Sequence, residues 1–67
     1  MKILKQKRTK IRRLREERGW TQRDLAMRTG IHAPTISQIE NGIVQLWPGY
    51  AKRIAKAFGV SVEEVTS

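Results

Sequence analysis

Within residues 22–41, Ala26, Gly30, Ile36 and Ile39 stand at successive intervals of four, six and three residues. That spacing confines the chain to a narrow set of folds. A small side chain at Ala26 lets a following helix cross close to the one that carries it. Gly30 permits a positive φ at the corner, which other residues adopt only with strain. Ile36 and Ile39, three residues apart, give the following helix an apolar face to lay against its predecessor. Two short helices joined by a tight corner are expected.

The flanking residues read as helix ends throughout. Thr9 is a plausible N-cap for a first helix running to about Arg18, with Ile11, Leu14 and Arg15 on one side. Gly19 ends it, and Trp20 follows as an apolar anchor. Thr21-Gln22-Arg23-Asp24 has the capping-box pattern, with Asp in place of the usual Glu. The second helix carries Leu25 and Ala26 inward and stops at Gly30. Ile31 and His32 lead to a third helix over residues 33–40, where Pro34 is tolerated only in the first turn. Asn41-Gly42 closes it, both residues tolerating the left-handed conformation. Residues 43–47 form an apolar loop. Pro48 opens a fourth helix to about Phe58, with Ala51, Ile54, Ala55 and Phe58 at helical spacing. After Gly59, Ser61 caps a short last helix whose first turn holds Glu63 and Glu64. The expected fold is all-α, a compact five-helix bundle. Its expected division is a basic arm over residues 1–9, then one domain over 10–67 with the paired helices at 21–41.

Charge narrows the function. Residues 1–28 hold eleven Lys and Arg against Glu16, Glu17 and Asp24, a balance of +8. Residues 29–67 hold Lys52, Arg53 and Lys56 against Glu40, Glu63 and Glu64, a balance of zero. Excess positive charge at one end points to a polyanion, nucleic acid or an acidic membrane surface. No stretch approaches the roughly 18 apolar residues of a membrane span, and the basic start lacks the apolar run of a signal peptide. A cytoplasmic protein is expected. The 67-residue chain has no cysteine, so disulfides and thiolate metal sites are excluded. Its stability must come from regular helix packing or self-association.

At this point the chain resembles the lambda-repressor/Cro family of helix-turn-helix domains. The likeness spans about residues 11–65. It rests on Leu14-Arg15-Glu16-Glu17-Arg18-Gly19, Thr21-Gln22, Leu25-Ala26, Gly30, Thr35-Ile36-Ser37-Gln38-Ile39-Glu40-Asn41-Gly42 and Ile54-Ala55-Lys56-Ala57-Phe58-Gly59-Val60. The Ile-Glu-Asn-Gly end of the third helix is the most specific part. The resemblance implies a sequence-specific transcriptional regulator, a repressor by preference, whose third helix enters the major groove of double-stranded DNA. The implied base-contacting positions are His32, Ala33, Pro34, Thr35, Ser37 and Gln38. Gln38 leads, because its amide can pair bidentately with adenine N6 and N7. Phosphate contacts fall to Gln22, at the start of the second helix, with Arg23, Asn41, Lys7, Arg8 and Lys10. The resemblance also implies that Arg15 pairs with Glu40, tying the reading helix to the first.

Two departures bear on how such a domain would read DNA. Many relatives have a polar cap and long polar readers where this chain has His32, Ala33 and Pro34, so thymine methyls and DNA shape carry more of the expected specificity. The third helix has no Lys or Arg, which leaves the basic N-terminus (Lys2, Lys5, Lys7, Arg8, Lys10, Arg12, Arg13) as the source of phosphate neutralisation. The apolar loop has two readings. Trp47 either packs on the fourth helix as core, or joins Ile43, Val44 and Tyr50 in an exposed patch pairing two subunits; Leu46 and Ile54 read as core. A homodimer on a palindromic site is expected. The competing function is a protein-interaction adaptor, or antitoxin-like module, using the apolar residues 43–50. Enzymatic activity has no support: His32 is the sole histidine, Glu16-Glu17 and Glu63-Glu64 do not face each other, and no metal or phosphate-loop spacing exists. No cofactor and no small-molecule ligand are expected.

Overall fold

A computed structural model describes residues 9–66, and these fold as five helices with no strand among them. They are α1 (Lys10–Glu17), α2 (Gln22–Thr29), α3 (Ala33–Glu40), α4 (Pro48–Phe58) and α5 (Glu63–Thr66). Local chemistry sets the boundaries. Thr9 Oγ1 accepts from the Arg12 amide and caps α1. Its far end closes by the Gly19 amide donating to the Glu16 carbonyl and the Trp20 amide to that of Arg15, the Schellman arrangement. At α2 both capping-box bonds form: the Asp24 amide donates to Thr21 Oγ1 at 3.0 Å, and the Thr21 amide to Asp24 Oδ2 at 2.8 Å. Donation from that amide is the main reason the Asp24 carboxyl is held below its ordinary value. Pro48 starts α4 as Pro34 sits in the first turn of α3, each where an amide would have no helical partner.

The core draws on every helix. Ile11, Leu25, Ile36, Ile39, Ala51, Ile54, Ala55, Phe58 and Val65 are buried together with Ile31 from the α2–α3 corner. Leu25, Ile36 and Ile54 are the largest fully buried side chains, each contributing about 1.5–3 kcal/mol by leaving water. α2 packs on α3 and on α4, while α1 rests on α4 and α5. Ala26 is partly buried against this core at the crossing.

The corner is built as a hydrogen-bonded unit. Gly30 takes φ +75° and its amide donates to the Ala26 carbonyl at 2.8 Å. Buried Thr29 donates its hydroxyl to the Leu25 carbonyl at 2.8 Å and accepts from the Ile31 amide at 3.2 Å. The turn therefore leaves few orphaned groups where α3 departs. A Cβ at Gly30 would meet nothing within 4 Å, so only the left-handed backbone opposes a side chain there. Gly30→Ala is expected to cost about 1–2 kcal/mol, measured as a lower midpoint in denaturant with an unchanged slope. A loss above about 3 kcal/mol would mean that a side chain at the corner meets neighbouring atoms.

At the end of α3, Asn41 keeps φ −91° and Gly42 takes the left-handed turn, at φ +73°. Of the two readings of Trp47, core is excluded: it is the N-cap residue of α4, with an extended backbone, and is 59% exposed. On the surface of α1, Arg12 and Arg13 each lie one turn from a glutamate and pair with it, Arg12 with Glu16 at 3.2 Å and Arg13 with Glu17 at 3.9 Å.

Candidate nucleic-acid interface

Ile36, Ile39 and Glu40 are the buried residues of α3. That inward stripe fixes what the helix shows to solvent. Pro34 and Gln38, one turn apart, are exposed, as are His32 before the helix and Asn41 after it. Ala33, Thr35 and Ser37 are partly buried on its flanks. The Asn41 amide reaches Ser37 Oγ at 3.5 Å, a long bond that leaves it accessible. Among the side chains of α3, Gln38 is thus the long polar group with both donor and acceptor facing outward.

The start of α2 adds donors. Of the four amides that an α-helix leaves unpaired at its N-terminus, the capping box satisfies those of Thr21 and Asp24. The Gln22 and Arg23 amides remain in the first turn with the helix dipole behind them. Arg23 is exposed there. Gln22 is partly buried, and its Nε2 donates to Glu40 Oε1 at 3.1 Å. Spacing carries no sign of that bond, because the two residues lie 18 positions apart.

Glu40 joins three helices. Arg15 from α1 donates to it twice, Nε to Oε2 at 2.7 Å and Nη2 to Oε1 at 3.0 Å. Arg15 Nη1 donates to the Trp20 carbonyl at 2.8 Å. Arg15 is 8% and Glu40 4% exposed, so this is a buried bidentate pair. The hydrogen bond to Glu40 raises the Arg15 pKa further above its ordinary value, more than desolvation lowers it. No side-chain polar atom buried in the described part lacks a partner.

Behind α2, an aromatic clamp escaped the sequence reading. Trp20 stacks on Phe58 with centroids 5.4 Å apart, and the Arg28 guanidinium lies 4.2 Å from the Trp20 ring. Arg18 donates to the carbonyls of Leu14 and Phe58, near the C-terminal ends of α1 and α4. Arg18 and Arg28 are therefore committed to architecture. Lys10 is partly buried in the first turn of α1, and Lys7 and Arg8 lie outside the described residues.

In the 43–50 segment, Ile43 is 70% exposed and Trp47 also faces solvent, while Val44, Leu46 and Tyr50 pack partly on the core. Beside them Ile11, Ile39, Val44, Leu46 and Val65 line a cleft of about 540 Å³ between α1, this loop and α5. Among the described residues no group of His, Asp and Glu is placed to hold a metal ion. No described helix is long and apolar enough to cross a membrane.

Residues 11–65 match the family model described as helix-turn-helix. Over 55 residues the chain is 38% identical to a competence pilus inhibition repressor of Acinetobacter baylyi (strain ATCC 33305 / BD413 / ADP1). That match takes in 82% of this chain and 50% of the repressor, so the chain spans about half the length of this curated relative. No solved structure matches it.

Proposed function

This chain belongs to the lambda-repressor/Cro-like helix-turn-helix family, and from that premise we propose that it is a DNA-binding transcriptional regulator acting as a repressor. One observation carries the reading. The outward face of α3, with Pro34 and Gln38 and with Asn41 just after it, stands beside a helix start that offers the Gln22 and Arg23 amides. Base reader and phosphate anchor then meet the same duplex. Gln38 makes the polar base contact; Ala33, Pro34 and Thr35 supply apolar contact to thymine methyls, with His32 and Ser37 at the margins. Gln22, Arg23 and Asn41 hold phosphates. Further neutralisation comes from Lys7, Arg8, Lys10, Arg12 and Arg13. Repression is steric and needs no chemistry, in keeping with the repressor among its relatives.

The regulator works as a homodimer in the cytoplasm. Exposed Ile43 and Trp47, with the visible edges of Val44 and Tyr50, form the apolar patch that a second copy covers. The same exposure favours the second reading, an adaptor or antitoxin-like module that binds a partner protein through this loop.

A salt series separates the two. Duplex affinity should fall log-linearly with salt, each neutralised phosphate contributing a slope of about −0.9. We expect a slope of about −1.8 or steeper, two or more phosphates at that increment, flattened by deletion of residues 1–8, and a preference for selected over random duplex. Weak, salt-insensitive binding blind to sequence would favour the adaptor.

A further inference from the structure

Glu40 does more in this structure than pair with Arg15. Its Oε1 accepts from Arg15 Nη2 at 3.0 Å and from Gln22 Nε2 at 3.1 Å. An ionised carboxylate can only accept, so the atom of Gln22 that faces it must be the amide nitrogen. One hydrogen of that nitrogen is spent on Glu40. The other hydrogen and the amide carbonyl remain at a side chain that is only partly buried.

We propose that Glu40 is a positioning residue for DNA binding, holding Gln22 so that its second amide hydrogen meets a phosphate. The proposal rests on the DNA reading given above. Glutamine is among the side chains that lose most rotamer freedom on ordering. A glutamine fixed before the duplex arrives spares that loss at binding. Arg15 is part of the device. Without its guanidinium, the Glu40 charge would stand one side chain away from a phosphate and repel it. The bidentate pair cancels that charge while leaving Oε1 able to accept from Gln22. The start of α2, which touches DNA on this reading, is thereby set by α1 through α3.

The test is a double-mutant cycle in the whole chain, read as affinity and salt slope on one duplex. Q22A should bind about tenfold more weakly, the loss of a hydrogen bond to a charged group, with the salt slope unchanged because a neutral amide releases no counterion. R15M/E40M removes the pair together and fills its space with apolar atoms, a replacement that buried pairs often tolerate. With folding verified by circular dichroism, it should show the same tenfold loss, and adding Q22A to it should change nothing more. Wild-type affinity of folded R15M/E40M, or an equal Q22A loss in both backgrounds, overturns the positioning role. Should R15M/E40M not fold, nitrogen relaxation of the Gln22 side-chain amide in the free wild-type protein decides. An order parameter near that of rigid backbone, about 0.85, supports it, and one below about 0.6 overturns it. A wild-type chain that binds no duplex overturns the DNA reading itself, a failure visible before any variant is made.

Discussion

Glu40→Ala should leave much of the domain unfolded near physiological temperature. The carboxylate is 4% exposed and receives three hydrogen bonds, two from Arg15 and one from Gln22. Truncation strands the Arg15 guanidinium, itself 8% exposed, with the Trp20 carbonyl as its remaining partner. Removing one member of a buried ion pair costs about 3–5 kcal/mol, since the other stays desolvated and uncompensated. Stability per residue runs at about 0.05–0.15 kcal/mol, which for a chain of this length is only about 3–10 kcal/mol in total. The loss is therefore comparable with everything the domain has. For small domains each kcal/mol moves the melting midpoint by about 4–8 °C, so a fall of roughly 15 °C or more is expected in a thermal melt followed by circular dichroism. A midpoint within about 5 °C of wild type would show that the pair does not hold α1 to α3. The contrast with R15M/E40M matters. Removing both charges leaves no stranded ion and should cost much less.

What the sequence disclosed and what it withheld divide along physical lines. Helix positions were legible because their signals are local. Thr9 and Thr21 cap through residues three positions on, Pro34 and Pro48 sit in first turns, and Gly30 turns a corner only a positive φ can make. The core followed from periodicity, as in Ala51, Ile54, Ala55 and Phe58 along α4. Contacts between distant segments had no such signal. Stacking of Trp20 on Phe58 joins residues 38 apart, a number no helical period produces. The Gln22 to Glu40 bond is of the same kind. Arg15 with Glu40 was anticipated from family resemblance and not from spacing. Trp47 had two readings, core and exposed patch, between which spacing could not choose; before Pro48 it has an extended backbone and its side chain is exposed. The places of Arg18 and Arg28 were hidden in the same way, since the Phe58 carbonyl and the Trp20 ring they meet lie on other segments. The face of α3 was legible as a pattern, but which base it meets is not encoded in spacing.

Gln38→Ala should abolish discrimination at a single base pair and leave the rest of DNA binding alone. Gln38 is exposed, one turn from exposed Pro34 and on the side opposite Ile36 and Ile39. Truncation therefore removes no core contact, and the melting midpoint should hold. A bidentate glutamine–adenine pair is worth about 1–3 kcal/mol of discrimination, roughly 5- to 150-fold. Phosphate contacts are untouched, so random-duplex affinity and the salt slope should match wild type. The deciding measurement takes a duplex selected from a random pool by the wild-type chain, with every single-base variant of it, and titrates both proteins at one salt concentration. The account predicts that Gln38→Ala flattens the affinity profile at one A·T position in each half-site and nowhere else. A variant whose profile follows wild type at every position, or falls equally at all of them, would contradict a major groove read by this helix.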